Sequence, residues 1–316
     1  MTLDPGSTGR RVVVRYTTGG RGPSGGPEMT DVVGRVLSSD ADSVTLERRD
    51  GTTVLVDRAL IVTWKPVPDQ PLRRRRAADA SVDDLAGITA QGWPAVVSQP
   101  LGEWELRASA GFTKRANSVS VHGAPDRSFV ESLLAVHAFY SAQGLRPMVQ
   151  VVTGSTWERQ FAEAGWHPMA DRGGEAIVQV ADLSGGHAAD PDAVVAPTAS
   201  DEWLSGYGRV DDPNSARAVL EAPPTVGFVA VGSPVLAVGR VTVSGEWAGL
   251  SCVEVAPTAR RQGLGRRVVE TALAWAESHG ADKCYVQVTP DNEAALGLYR
   301  SLGFVDHHGY RYLVSG

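Results

Sequence analysis

Two cysteines, Cys252 and Cys284, are all that 316 residues contain, and neither has a close-spaced cysteine or histidine neighbour. That count and spacing leave no basis for a disulfide framework or a zinc site, so both thiols read as small buried hydrophobes. No apolar run approaches the roughly 20 residues that a membrane-spanning helix needs, and a membrane is not an expected partner. The first residues, Met1-Thr2-Leu3-Asp4-Pro5-Gly6, lack the basic start and apolar stretch of a signal peptide; the expected location is the cytoplasm. A strong excess of one charge is missing too. The formal net charge is −6, with 21% charged and 42% hydrophobic residues, which describes an ordinary globular protein. Residues 1–77 hold 13 Lys/Arg against 9 Asp/Glu, a surplus of +4, leaving −10 for the remainder.

What is present begins with β-branched runs. RRVVVRY, VVGRVL, SVTLE, TTVLV and LIVTW fall between residues 10 and 67, punctuated by turns such as Arg49-Asp50-Gly51-Thr52. Short strands packed this closely predict a small barrel over residues 1–67, with Gly19 to Pro27 as a long loop. The pattern resembles an SH3-like barrel, and it carries no catalytic constellation. A linker at 68–80 follows, including Arg73-Arg74-Arg75-Arg76. Without interleaved aromatics this run reads first as a solvated linker, with an anionic partner such as nucleic acid as the alternative.

Past residue 80 the chain repeats itself. SFVESLLAVHAFYSAQG, MVQVVT and TWERQFAEAGW recur as LGRRVVETALAWAESHG, CYVQVT and NEAALGLYRSLGF, at offsets of 136 to 138 residues. Each reads as helix, buried strand, short helix. The expected architecture is therefore mixed α/β: a small β-barrel, then two copies of one α/β unit at 81–184 and 193–316. Gly185-Gly186 and Asp190-Pro191 mark a linker at 185–192.

In the second copy, Leu250 to Val255 reads as a strand, Pro257-Thr258 ends it, and a helix begins near Gly263. Unpaired amides at a helix N-terminus favour an anion, and bare backbone at Gly263 and Gly265 lets one come close. Arg260, Arg261, Arg266 and Arg267 add positive charge, consistent with a ligand carrying several phosphates. A dinucleotide fingerprint would need a glycine where Val268 stands, and a P-loop would need Gly-Lys-Ser/Thr.

Arg260-Arg261-Gln262-Gly263-Leu264-Gly265 instead resembles the Q/R-x-x-G-x-G/A signature of the GCN5-related N-acetyltransferase (GNAT) family, and Asn292 to Phe304 is similar to that family's closing segment. The resemblance implies an acetyltransferase with acetyl-CoA as donor. It places the pantetheine arm on the backbone of Val253, Glu254 and Val255, the pyrophosphate on amides from Arg261 to Arg266, a cofactor contact at Asn292, and a proton donor to the leaving thiolate at Tyr299. In the first copy, the places of Gly263 and Gly265 fall to Arg127 and Phe129, and Phe161 replaces the tyrosine, so one intact site per chain is expected.

For the general base the leading candidate is Glu246, with Glu254, His307 and His308 behind it; Gly249 occupies the position that best matches a glutamate of some family members. Lys114, Arg115 and Asn117 are candidates to face an acceptor, as Trp203, Tyr207 and Trp247 are to line its pocket, beside plainer readings as loop polars and core aromatics. No activated Cys–His pair points to an acyl-enzyme, so direct transfer to a primary amine is expected, on a protein lysine or a small molecule. The tandem arrangement also resembles mycothiol synthase, which acetylates an amino-sugar thiol precursor but has no N-terminal barrel. A module that senses acetyl-CoA without transferring its acetyl group is the alternative of a different class.

Overall fold

In a computed structural model of the protein, residues 7–21, 26–48, 51–67, 75–170 and 173–316 are described. They belong to two compact units, divided after Arg74. Alternation builds the first. β1 (Arg11–Arg21) buries Val12 and Val14, β2 (Pro27–Ser39) buries Val32 and Val36, β3 (Ser43–Glu47) buries Val44 and Leu46, and β4 (Thr53–Asp57) buries Val56. With β5 (Ile61–Pro66) they form one antiparallel sheet in the order β4-β3-β2-β1-β5. Residues 49–50, 73–74 and 22–25 lie outside the described residues, and the loop from Gly19 to Pro27 is shorter than expected, because Gly19 to Arg21 continue β1 and Arg21 pairs with Pro27 of β2. Arg75 and Arg76 pair locally, with Asp84 at 3.1 Å and Asp79 at 2.9 Å.

The second unit starts earlier than the expected linker end. Ala77 is buried, and its amide donates to Asp182 Oδ1 at 2.7 Å, so residues 77–80 are part of this fold. Its elements run α1 (Val82–Gly92), β6 (Val97–Leu101), β7 (Trp104–Ala108), β8 (Val119–Ser120), α2 (Phe129–Ala142), β9 (Met148–Val152), α3 (Thr156–Glu163), β10 (Trp166–Pro168) and β11 (Glu175–Asp182). The second half continues with β12 (Ala193–Ala196), α4 (Asp201–Tyr207), α5 (Pro213–Leu220), β13 (Val226–Val231), β14 (Ala237–Ser244), β15 (Trp247–Val255), α6 (Leu264–Ser278), β16 (Lys283–Val288), α7 (Glu293–Ser301) and β17 (Val305–Ser315).

These strands make a single sheet in the order β12-β13-β14-β15-β16-β11-β17-β9-β8-β7-β6, with β10 beside β17. The two sequence copies are present, but they are not separate domains. β11 leaves the first copy to lie between β16 and β17, and β17 leaves the second to lie between β11 and β9. The copies exchange their last strands. The expected linker at 185–192 is therefore an internal crossing within one unit, pinned where Arg267 of α6 pairs with Asp190 and Asp192.

One feature of this sheet opens a site. β15 runs parallel to β16 only from Trp247–Lys283 to Leu250–Val286, after which β15 turns away while β16 stays paired with β11 through Val288. The turn comes at a β-bulge. Arg240 pairs Ser251 but Val238 pairs Glu254, so Cys252 and Val253 face the single residue Gly239, and Cys252 takes φ +55°.

Candidate active site

At the far end of β15 the chain passes through Pro257–Ala259 and a tight turn in which Arg261 has φ +64° and Gly263 has φ +80°. Gly263 is the N-cap of α6, and it has no side chain with which to cap. Among the described residues, the main-chain amides from Arg261 to Arg266 donate no well-formed hydrogen bond to a carbonyl; the first to do so is that of Arg267, to Gly263 O at 3.1 Å. A Cβ added at Gly263 would meet nothing within 4 Å, and one at Gly265 would meet only the side chains of Leu298 and Val255, both at 3.7 Å. The arrangement is an open row of donors at the positive end of a fifteen-residue helix, suited to an anion. Arg260 and Arg261 are exposed and form no ion pair among the described residues, whereas Arg266 pairs Glu270 and donates to Ser301 Oγ, and Arg267 is held by Asp190 and Asp192. Gln262 is exposed and Leu264 packs into the core.

Where β15 and β16 part, a cleft of about 540 Å³ is lined by Ser251 to Glu254 on one wall and Val286 to Thr289 on the other, with Asn292 and Tyr299 of α7. Asn292 caps α7 through Ala295, and Tyr299 is 4% exposed. The Tyr299 hydroxyl makes no hydrogen bond to a described residue and stands within electrostatic reach of Cys284, Glu254 and Cys252. Burial above all, then those neighbours, pushes its pKa well up, so the phenol stays protonated. Val255 packs against the core beside the cradle.

Several lining groups come from the first copy, whose expected part was to shape the acceptor cleft or the fold: Trp93, Thr113, Lys114, Arg115, Glu175 and Ala176. Lys114 and Arg115 do face the cleft. Asn117 does not: it is buried and braces the loop, accepting from the amides of Ser109 and Gly111 and donating to Phe112 O and Thr113 O. Tyr207 lines the cleft, while Trp203 and Trp247 fill the core. Gln287, Arg209, Tyr310 and Tyr312 also line it and were missed, because nothing local in the chain marks them.

Glu246 is not brought to this place. It sits at the β14–β15 turn, exposed, with a carboxylate oxygen 2.7 Å from Lys283 Nζ. At about 3.3 Å per residue, eight residues of strand put it roughly 26 Å from Glu254. Nor does a carboxylate fit at Gly249, where an added Cβ would lie 2.3 Å from Tyr285 Oη. Of the candidate bases, Glu254 alone lines the cleft, and it is paired with Arg209. Cys284 is fully buried, and burial pushes its thiol up, away from the thiolate a nucleophile needs.

His307 and His308 lie outside the cleft lining; His307 Nε2 is 2.9 Å from Ala80 O and its Nδ1 is 2.8 Å from His308 Nδ1. Burial, then the neighbouring His307, lowers His308 from 6.5 to about 4. Between those two values the unfolded chain binds the proton and the folded one does not, so stability falls as pH drops through the window. The loss should be on the order of 2 kcal/mol after solvent screening of a half-buried ring. Urea midpoints at pH 7 and 4.5 should differ less in His308→Gln than in the parent; an equal difference in both would assign the acid sensitivity elsewhere.

The corresponding place in the first copy is closed. By helix caps, Ser128 rather than Arg127 matches Gly263, and it forms a capping box with Glu131 that uses the amides α6 leaves free. Phe161 is completely buried among Trp104, Phe129 and Trp166.

A family model described as "Probable histone acetyltransferase Rv0428c C-terminal" matches residues 80–313, and one described as "Rv0428c N-terminal Sm-like domain" matches residues 6–65. The small sheet is thus Sm-like by that description, where the strand pattern had resembled an SH3-like barrel. The chain is 27% identical over 257 residues to the "Uncharacterized N-acetyltransferase YobR" of Bacillus subtilis (strain 168), covering 73% of this chain and 99% of the relative. A GCN5-related N-acetyltransferase from Kribbella flavida superposes with a TM-score of 0.56 at 16% identity, over 74% of this chain and 95% of that one. A tandem GNAT protein from the clavulanic acid biosynthesis pathway does so at 0.50 and 14%, over 76% and 89%. At such identities both structures bear on the fold alone, which is a GNAT fold.

Proposed function

The chain belongs to the acetyltransferase family of that C-terminal model, and from this premise we propose that it is an acetyl-CoA-dependent N-acetyltransferase with one active centre per chain, in its C-terminal half. The observation that carries the reading is the row of amides from Arg261 to Arg266 that donate no well-formed hydrogen bond to a carbonyl of a described residue, just past the end of β15, the strand whose Ser251 to Glu254 wall the cleft. These amides, with Arg260 and Arg261, would hold the pyrophosphate of the donor. The separated edges of β15 at Val253 to Val255 would take the amides of its pantetheine arm, since backbone groups freed from β16 need partners. The donor supplies the acetyl thioester; the acceptor amine attacks its carbonyl carbon, a C–N bond forms, and the C–S bond breaks. Tyr299 would give its proton to the departing sulfur. Glu254, in place of Glu246, is the carboxylate positioned to take the proton from the amine.

Calorimetry with acetyl-CoA is expected to give one equivalent per chain, and free thiol should appear only when an amine is added. Two equivalents would show that the first copy also binds. Tight binding without release from any amine, amino sugar, peptide or basic protein would replace the transferase by an acetyl-CoA sensor.

A further inference from the structure

Arg115 lines the cleft, and among the described residues no carboxylate forms an ion pair with it. The loop carrying it is rigid: Asn117 ties four of its backbone groups, and Ala110 and Thr113 are held in left-handed conformations that side chains disfavour, at φ +48° and +60°. The guanidinium lies over the Trp93 ring, 5.0 Å from its centroid, and its buried Nε has no hydrogen-bond partner. A second guanidinium, that of Arg240, lies at the same distance from the same ring. Arg240 is 1% exposed, donates to Leu220 O, Gly92 O and Ser251 Oγ, and also meets no carboxylate. The two carboxylates that do line the cleft are each engaged by another arginine, Glu254 by Arg209 and Glu175 by Arg311. Buried charge is costly unless paired, and among the described residues the guanidiniums of Arg115 and Arg240 leave a surplus of positive charge on this wall, where an acceptor would sit.

We propose that the acceptor is an amine that also bears a carboxylate, and that Arg115 binds that carboxylate in the cleft. The proposal rests on the transferase reading and narrows its substrate. A guanidinium presents a planar fork of donors that matches a carboxylate in two parallel hydrogen bonds, which a lysine would not reproduce. The Tyr310 hydroxyl donates to Gln287 Oε1 at 2.9 Å and lies within electrostatic reach of the guanidinium; as a neutral phenol it brings no counter-charge. A cationic peptide carrying the target lysine would meet the same surplus as repulsion. The phosphates of the donor do not need Arg115, because the cradle at α6 already offers amides and two unpaired arginines.

The experiment pairs each carboxylate-bearing amine with its neutral amide: alanine with alaninamide, 6-aminohexanoate with 6-aminohexanamide, and a lysine-containing basic peptide as the third arm. In the full-length protein the acid of each pair should have the higher kcat/KM, by roughly 10- to 100-fold. Arg115→Gln should abolish the preference and Arg115→Lys restore it only in part, while the Kd for acetyl-CoA, measured by calorimetry, stays unchanged and reports an intact fold. Equal use of acid and amide, preference for the basic peptide, or a preference that survives in Arg115→Gln would each overturn the assignment. If no acceptor turns over, binding of the same acid and amide pairs to the protein still decides it. A difference within pairs that Arg115→Gln removes keeps the carboxylate site and discards only the transferase; no difference discards the site.

Discussion

Gly263→Asp should weaken acetyl-CoA binding by at least 100-fold in a protein that remains folded. The substitution meets no obstacle, since a Cβ there has nothing within 4 Å. The left-handed backbone at φ +80° costs on the order of 1 kcal/mol for a side chain, and aspartate is among the residues that tolerate it best. A carboxylate at the start of α6 recovers part of that cost from the helix dipole. For the ligand the same carboxylate is ruinous. Placed about 4 Å from a phosphate at an effective dielectric near 20, it adds roughly 4 kcal/mol of repulsion and competes for the same amides. Gly263→Ala separates the two effects, because it carries the backbone cost without the charge; it should stay within about tenfold of the parent. Calorimetric Kd values beside thermal melts decide the matter. Equal losses in the two variants would mean that backbone strain, not an anion cradle, explains the glycine.

The cradle was legible because it is local. A strand ending at proline, glycines at a helix start and arginines around them act within about fifteen residues, and their geometry follows from the unpaired amides of any helix. The repeat was legible for the same reason. The exchange of β11 and β17 was not, since a strand's own pattern of apolar residues says that it is buried and not which neighbour it pairs with; Val178 and Val180 would suit either half. That exchange brings Gly173, Glu175 and Ala176 into the C-terminal copy's cleft. Glu246 lies close to the motif in sequence but not in space, because a nine-residue strand separates its ends by nearly the diameter of a small domain. Arg115 was recoverable as a candidate to face an acceptor, beside the plainer reading as a loop polar. Its burial against Trp93, twenty-two residues back along the chain, is a tertiary fact.

Tyr299→Phe should lower kcat by roughly 100-fold and leave the KM for acetyl-CoA within about twofold. The phenol's oxygen forms no hydrogen bond to a described residue, so its removal strands no partner among them and stability should change by less than about 0.5 kcal/mol. What is lost is a proton in the right place. Burial, followed by Cys284, Glu254 and Cys252, disfavours the phenolate, and the functional acid form persists below its raised pKa and is lost only above it. In the parent, kcat should therefore show no alkaline decline from this group between about pH 7 and 9, a range in which an unperturbed tyrosine with pKa near 10 would begin to ionise. A sulfur gaining charge in a cleft shielded from water depends on such a donor more than it would in bulk solution. If Tyr299→Phe keeps activity within threefold across that range, the departing thiolate takes its proton from solvent, and the tyrosine closes the core beside Phe304 without entering the chemistry.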